Sequence, residues 1–265
     1  METVNIKING MEIAAPKGST VLEAARKAGI DIPTLCYLKE TNEIGACRIC
    51  LVEVREVGRQ GLSPARMVTA CVYPITEGME VVTNSPRITA SRRMNLELLL
   101  SNHNKNCLSC IRSTTCELQR LCQEYGVDED HFGGEKTESV VDDSSPAIIR
   151  DNSKCILCRR CVAACRNVQG IGVIGANHRG FDTAIGCAMD GKLADTSCIN
   201  CGQCVVACPT GALHERDDTD KVFEALADPK KKVYICAAPS VRAQIGECFG
   251  YEPGTDCEGK MVAAL

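Results

Sequence analysis

Apolar and polar residues alternate through the first positions of the chain. Val4, Ile6 and Ile8 share one face, Asn9-Gly10 interrupts, and Met11 and Ile13 resume the pattern. A period of two predicts half-buried strands, and Asn-Gly between two such runs predicts a tight hairpin, because both residues tolerate left-handed backbone. Thr20-Val-Leu-Glu23 has the spacing of a capping box and opens a short helix to about Ala28, which Gly29 stops. Further strands are expected over 68–72 and 79–82, with 55–66 as an inserted hairpin loop. Ser85-Pro86 reads as an N-cap followed by proline in the first helical position. The helix it opens is expected to run to about Ser101, with Met94, Leu96, Leu98, Leu99 and Leu100 as its apolar positions and His103 at its C-terminal end.

Downstream the pattern changes. Residues 126–146 are rich in Asp, Glu, Gly and Ser and predict a linker or long surface loop. Residues 155–165 and 198–208 repeat one cysteine spacing. After Arg216 that pattern stops, and a strand over 230–238 and a helix over 240–249 are expected. The expected organisation is α+β and modular: a β-grasp unit over 1–83, a helical unit over 84–135, a ferredoxin-like unit over 136–216 and a short α/β tail over 217–265.

Composition narrows the chemistry. Twenty of 265 residues are cysteine, while aromatic residues make up only 3% and tryptophan is absent. So many cysteines in a secreted chain would signal a disulfide framework, but no signal-peptide pattern opens this sequence and the cysteines cluster as C-x2-C. A reducing, cytoplasmic setting is expected. No apolar run approaches a membrane span, and a net charge of −4 leaves no footprint for nucleic acid.

Four cysteine sets carry the chemistry. Cys155, Cys158, Cys161 and Cys165 are spaced C-x2-C-x2-C-x3-C, and Cys198, Cys201, Cys204 and Cys208 repeat the spacing and end on Pro209. This is the bacterial two-cluster ferredoxin pattern, in which the fourth cysteine of each run serves the other cluster. Cys155, Cys158, Cys161 and Cys208 are therefore expected to hold one 4Fe–4S cluster, and Cys198, Cys201, Cys204 and Cys165 a second; a zinc-binding module is the alternative, but zinc gives no reason for the third C-x2-C step. Arg166 departs from the pattern, standing where proline is usual. His103, Cys107, Cys110 and Cys116 follow as H-x3-C-x2-C-x5-C, read as a third 4Fe–4S site with one imidazole ligand, or else a cysteine-only or zinc site. Cys36, Cys47, Cys50 and Cys71, with two of them in a loop that runs into a strand, are read as a 2Fe–2S site, with zinc as the alternative. The expected complement is one 2Fe–2S and three 4Fe–4S clusters.

The order of these motifs resembles the N-terminal electron-transfer part of the FeFe-hydrogenases and, more distantly, the large iron–sulfur subunit of NADH dehydrogenase. Asn102-His-Asn-Lys-Asn-Cys-Leu-Ser-Cys110, Cys116-Glu-Leu-Gln, Arg166-Asn-Val-Gln-Gly170, Asn177-His-Arg-Gly-Phe-Asp182 and Cys201-Gly-Gln-Cys204 carry the resemblance. The tail, Ala238-Pro-Ser-Val-Arg-Ala-Gln-Ile-Gly-Glu247 and Gly259-Lys-Met-Val-Ala-Ala-Leu265, resembles the opening of the hydrogenase catalytic domain. The downstream cysteines that hold the family's catalytic iron are not in this sequence, so no catalytic residues are expected. The resemblance implies an electron-transfer subunit of a flavin-based, electron-bifurcating NAD(P)H/ferredoxin complex of transhydrogenase type. Its partners would be a flavin- and NAD(H)-binding subunit, a small 2Fe–2S subunit and ferredoxin. The front part of a hydrogenase catalytic subunit is the alternative, and a zinc-bearing interaction module a remote one.

Two motifs are decoys. Gly170-Ile-Gly-Val-Ile-Gly175 matches a dinucleotide fingerprint but lies between cluster runs, outside any βαβ unit. Gly254-Thr-Asp-Cys-Glu-Gly-Lys260 has the glycines and lysine of a phosphate loop but Met261 where Ser or Thr must stand. Cys122, Cys187, Cys236, Cys248 and Cys257 are expected as small buried apolar residues, with a fifth cluster on the last three as the alternative. The apo-chain is expected to be largely disordered, because bound metal stabilises only the folded state. The tail is expected to dock on a partner subunit or a second copy.

Overall fold

The computed structural model describes residues 2–59, 61–128 and 131–264. Gln60 of the inserted loop, Glu129 and Asp130 of the expected linker, and Leu265 of the tail lie outside them. The chain divides into two compact units, Met1–Arg216 and Asp217–Leu265.

The first unit opens with the expected hairpin. Strands β1 (Thr3–Ile8) and β2 (Met11–Pro16) pair antiparallel with Ile8 opposite Met11. Asn9 and Gly10 turn between them at φ +51° and +84°. Val4, Ile6 and Ile8 are buried, and so is Ala15 on β2. Helix α1 (Val21–Lys27) carries the full capping box: Thr20 accepts from the Glu23 N–H, and Glu23 accepts from the Thr20 N–H at 2.8 Å. Strand β3 (Leu51–Arg55) leads into the small hairpin of β4 (Val57–Gly58) and β5 (Gly61–Leu62), and the chain returns through β6 (Arg66–Thr69) and β7 (Glu80–Val82). The five-stranded sheet has the order β2-β1-β7-β3-β6, with β1 and β7 parallel at its centre. Strand β6 begins and ends earlier than the expected 68–72. Cys71 has left the ladder for a turn, and the Ala70 N–H reaches the Cys50 carbonyl instead, 3.0 Å away.

Helix α2 (Pro86–Ser101) starts where Ser85 accepts from the Ile88 N–H. Its inner face is Ile88, Arg92, Leu96 and Leu100, one residue per turn. Met94 and Leu98, expected as apolar contacts, are about half exposed. Arg92 is buried because its guanidinium is fully used on one side: Nη2 donates to the carbonyls of Leu51 and Thr83, and Nη1 to the Tyr125 hydroxyl. Tyr125 lies on α3 (Glu117–Tyr125), which ends on Gly126 in left-handed backbone. A second apolar core joins Leu35, Ile49, Leu96, Leu100, Leu118, Leu121 and Ile156, so segments that carry Cys36 and Cys47, Cys116, and Cys158 meet in it.

Residues 131–140 are irregular, but the expected linker does not extend to 146. Strand β8 (Val141–Asp142) pairs with β9 (Ile148–Asp151), and Asp142 and Ser145 are buried. Asp142 pairs with Arg150 at 3.2 Å and accepts from the Leu193 N–H at 2.9 Å. The chain continues through α4 (Arg160–Ala163), the hairpin of β10 (Gly175–Asn177) and β11 (Ala184–Gly186), α5 (Gln203–Ala207) and β12 (Leu213–Glu215), which pairs with β9. Arg166 lies in a π-helical segment, Ala164–Val168, that prolongs α4, whereas α5 stops at Ala207 ahead of Pro209. A proline at 166 would remove a donor inside that segment, which accounts for the departure from the repeat.

The second unit contains α6 (Thr219–Ala227), α7 (Pro239–Cys248) and α8 (Glu258–Ala264). The strand expected over 230–238 does not form. Val233, Tyr234 and Ile235 are exposed, and an extended segment without a pairing strand has no partner for its backbone groups. Lys260, the lysine of the phosphate-loop decoy, donates to the Tyr251 hydroxyl at 2.6 Å.

Candidate metal centres

The two halves of the ferredoxin repeat share one backbone solution. Leu157 and Asn200, each two residues after the first cysteine, have φ +55° and +53°, and each donates its N–H to that cysteine's sulfur at 3.4 Å. Arg159 and Gly202, each just after the second cysteine, have φ +61° and +74°. Left-handed backbone at Leu and Arg is strained, and such strain persists where a site demands the conformation. Here it turns consecutive thiols to one side.

Cys155, Cys158, Cys161 and Cys208 all line a single cavity, whose wall is completed by Ile156, Pro209, Leu213 and others. Burial pushes the Cys155 thiol up to about 11, with a further rise from Cys208. Burial and then Cys208 and Cys155 raise Cys158 to about 12, against a backbone N–H and the Arg160 charge, and burial followed by Cys158, Cys155 and Cys208 also drives Cys161 well above the ordinary thiol value. The other set is grouped as well: burial, then Cys198, Cys201 and Cys165, push Cys204 up to about 11. Cys165 and Cys204 are buried, Cys198 is half-buried and Cys201 is exposed.

In the N-terminal set Cys36, Cys47, Cys50 and Cys71 are all buried. Cys36 and Cys47 share a hydrogen bond, as do Cys50 and Cys71, so in each pair one thiol is lowered and its partner raised. Cys36 falls to about 6, through Cys47 first. Gly45 and Arg48, flanking Cys47, both have positive φ.

In the third set, Cys107 and Cys110 flank a 3-10 turn, and Cys116 caps α3. Burial raises Cys116, with contributions from Cys110 and Cys107. His103 follows α2, its N–H bonded to the Leu100 carbonyl. The ring is buried and its Nδ1 has no hydrogen-bond partner among the described residues. Burial, assisted by Lys154, lowers its pKa to about 4, so the imidazole is neutral at pH 7 and free to ligate. Gly211 lies against this set: a Cβ there would stand 2.6 Å from the Cys110 sulfur.

These donor sets fit iron–sulfur groups. Among the described residues no three His, Cys, Asp or Glu side chains close on a point the size of one ion; the thiols of the first ferredoxin set stand around a cavity instead. Four buried thiolates without a counterion would be prohibitive, and a cationic iron core removes that cost. Burial of Cys122, Cys187 and Cys257 agrees with their expected role, whereas Cys236 and Cys248 are exposed, because the segment around Cys236 forms no strand to bury it and Cys248 ends α7 on an open face.

Sequence reasoning missed the polar side chains between the sets. Asn42 is buried and its amide donates to the carbonyls of Cys36, at 2.7 Å, and Cys158, at 3.0 Å. Arg112 donates to the Cys208 carbonyl at 2.7 Å. Arg160 makes two bonds to Glu117, at 2.6 and 2.9 Å. None of these has a motif that spacing alone would flag.

Three family models match in the same order along the chain: a 2Fe-2S iron-sulfur cluster binding domain over residues 1–86, the NADH-ubiquinone oxidoreductase-G iron-sulfur binding region over 92–131, and a 4Fe-4S dicluster domain over 154–212. The chain is 47% identical over its whole length to the NADP-reducing hydrogenase subunit HndD of Solidesulfovibrio fructosivorans, of which it spans 45%. It is 38% identical over 98% of its length to iron hydrogenase 1 of Clostridium pasteurianum, of which it spans 44%. A chain of the crystal structure of an NAD+-reducing NiFe hydrogenase in the H2-reduced state superimposes with a TM-score of 0.73. That match is at 32% identity and covers 80% of this chain and 87% of the solved one. The chain belongs to the family of iron–sulfur electron-transfer proteins that includes the N-terminal part of the FeFe-hydrogenases and the G subunit of NADH–quinone oxidoreductases.

Proposed function

We propose that this chain is the electron wire of an NAD(P)H-linked oxidoreductase complex. Cys36, Cys47, Cys50 and Cys71 hold a 2Fe–2S cluster. His103, Cys107, Cys110 and Cys116 hold one 4Fe–4S cluster, Cys155, Cys158, Cys161 and Cys208 a second, and Cys198, Cys201, Cys204 and Cys165 a third. The clusters supply one-electron redox chemistry when bound. The chain's own residues hold them at fixed separations and bury their charge. The observation that carries this reading is the bridging of ligand segments from separate modules, above all by Asn42, whose single amide serves the backbone of Cys36 and Cys158. Such a joint keeps the two sites at a constant distance, as one-electron transfer between them requires.

The partners are a flavin- and NAD(H)-binding subunit, a small 2Fe–2S subunit and ferredoxin, and the complex is an electron-bifurcating transhydrogenase. Its setting is cytoplasmic. A second reading makes the chain the front part of a hydrogenase catalytic subunit. It is favoured by the two hydrogenase relatives, whose similarity continues through the second unit where other relatives stop at about four-fifths of the chain.

The test is anaerobic purification with native partners, followed by assays of NAD- and NADP-linked ferredoxin turnover and of hydrogen evolution from a reduced artificial donor. Pyridine-nucleotide turnover without hydrogen supports the transhydrogenase reading. Hydrogen evolution supports the second reading, and a colourless chain holding zinc without labile sulfide refutes both.

A further inference from the structure

Arg160 occupies a place in this unit that no cluster motif explains. It lies between two cysteines of the first ferredoxin run, Cys158 and Cys161, and it is only 5% exposed. Burying a guanidinium is costly unless its donors are used, and it stays charged at any pH a protein tolerates. Two donors are spent on Glu117, the residue after Cys116, in a fork at 2.6 and 2.9 Å. The buried Nε donor has no partner among the described residues. The pair therefore ties the ligand loop of one site to the ligand-bearing helix start of another.

The surroundings bring in the third site. Asn42 holds the Cys36 and Cys158 carbonyls together, so the N-terminal set and the first ferredoxin set meet where Arg160 is buried. The backbone repeats the connection: the Glu117 N–H donates to the Pro209 carbonyl, beside Cys208. The Glu117 carboxylate is 39% exposed, so water screens it in part, whereas the guanidinium at 6% is screened far less and its charge dominates the pair.

We propose that Arg160, pinned by Glu117, is a positioning residue: a buried cation shared by the Cys36/Cys47/Cys50/Cys71 site and the Cys155/Cys158/Cys161/Cys208 site that makes both easier to reduce. Reduction adds one negative charge to a bound group, and a fixed cation nearby lowers the cost of that charge. Because one cation serves two sites, their potentials are linked and move together. The inference rests on the cluster assignment above and goes beyond it in naming what sets the levels.

The test is a redox titration of the anaerobically prepared full chain, followed by electron paramagnetic resonance, in wild type, Arg160→Gln, Arg160→Lys and Glu117→Gln. Iron and labile sulfide per chain are measured on each sample. In Arg160→Gln the 2Fe–2S signal and one 4Fe–4S signal shift together to lower potential, while another 4Fe–4S signal stays in place. Arg160→Lys keeps the charge and recovers most of both shifts. Glu117→Gln removes the opposing carboxylate and moves both signals to higher potential. If Arg160→Gln loses iron, Glu117→Gln decides. Full iron content with unmoved potentials overturns the role of Arg160 and leaves the cluster assignment standing. A wild-type chain that never carries iron and sulfide overturns the assignment itself.

Discussion

Asn42 is the sharpest place to perturb the junction between the first two cysteine sets. The residue is 4% exposed, and its amide makes two hydrogen bonds to carbonyls, one 6 and the other 116 residues away in sequence. Asn42→Ala deletes both donors and leaves the Cys36 and Cys158 carbonyls in a dry setting. A net hydrogen bond contributes about 1 kcal/mol, and a stranded buried acceptor adds to the loss, so the two together cost about 2–3 kcal/mol. The Leu38–Asn42 backbone bonds, at 2.8 and 3.0 Å, survive the substitution, so the local turn stays formed. The loss therefore falls on contact between modules and raises the population of a state in which they part by about 30- to 150-fold. Native-state hydrogen exchange of the iron-loaded chain reads that population directly. Peptides covering 36–50 and 155–161 should exchange faster by that factor, and peptides in β1 and β2, remote from the joint, should not change. Acceleration below threefold at the junction, or an equal acceleration everywhere, would refute the claim that Asn42 holds these two sites together.

Three other outcomes follow from the same structure. Gly211→Ala places a Cβ 2.6 Å from the Cys110 sulfur, so the variant should lose about one 4Fe–4S equivalent of iron while the other sites load normally. Asp142 should contribute stability at neutral pH that disappears in acid. Burial alone would raise its pKa, but Ser144, the Leu193 N–H and Arg150 together hold it below the ordinary 3.8. A depressed carboxylate stabilises the fold above its unfolded pKa and loses that contribution as pH falls through its folded one. Denaturation midpoints of Asp142→Asn should therefore lie below wild type near pH 7, with the gap closing below about pH 4. Removing iron with a chelator under reducing conditions should abolish the cooperative melt of residues 1–216, as followed by circular dichroism, because the buried thiols then lose the cations that justify their grouping.

What the sequence revealed is local, and what it concealed is not. The Asn9-Gly10 turn, the Thr20/Glu23 capping box and the Ser85-Pro86 helix start are signals that residues within one turn of chain impose on one another, and each stands where the pattern placed it. The cysteine runs are legible for the same reason: a three-residue step sets a short loop, and Leu157 and Asn200 adopt one conformation in both. The strand expected over 230–238 fails because an apolar run predicts pairing only where a partner exists. The end of the expected linker fails in the opposite sense. Asp142 and Ser145 look like loop residues but are buried with Arg150, eight residues on from Asp142, and with Leu193 and Asn200, 51 and 55 residues from their partners and outside any window around 142.

The same distinction separates ligands from the residues that make ligands useful. Cysteines must recur at fixed steps to converge on one group, so they leave a spacing. Asn42, Arg112, Glu117 and Arg160 act across sequence separations of 43 to 116 residues, and nothing in their neighbourhoods marks them. Yet electron transfer between two groups depends on how far apart they are held and on the charge between them, and neither quantity is set by the cysteines alone. The polar joints are thus the part of this chain that turns several separate metal sites into one path. A chain with every cysteine in place and these four side chains replaced should still bind iron and should transfer electrons poorly.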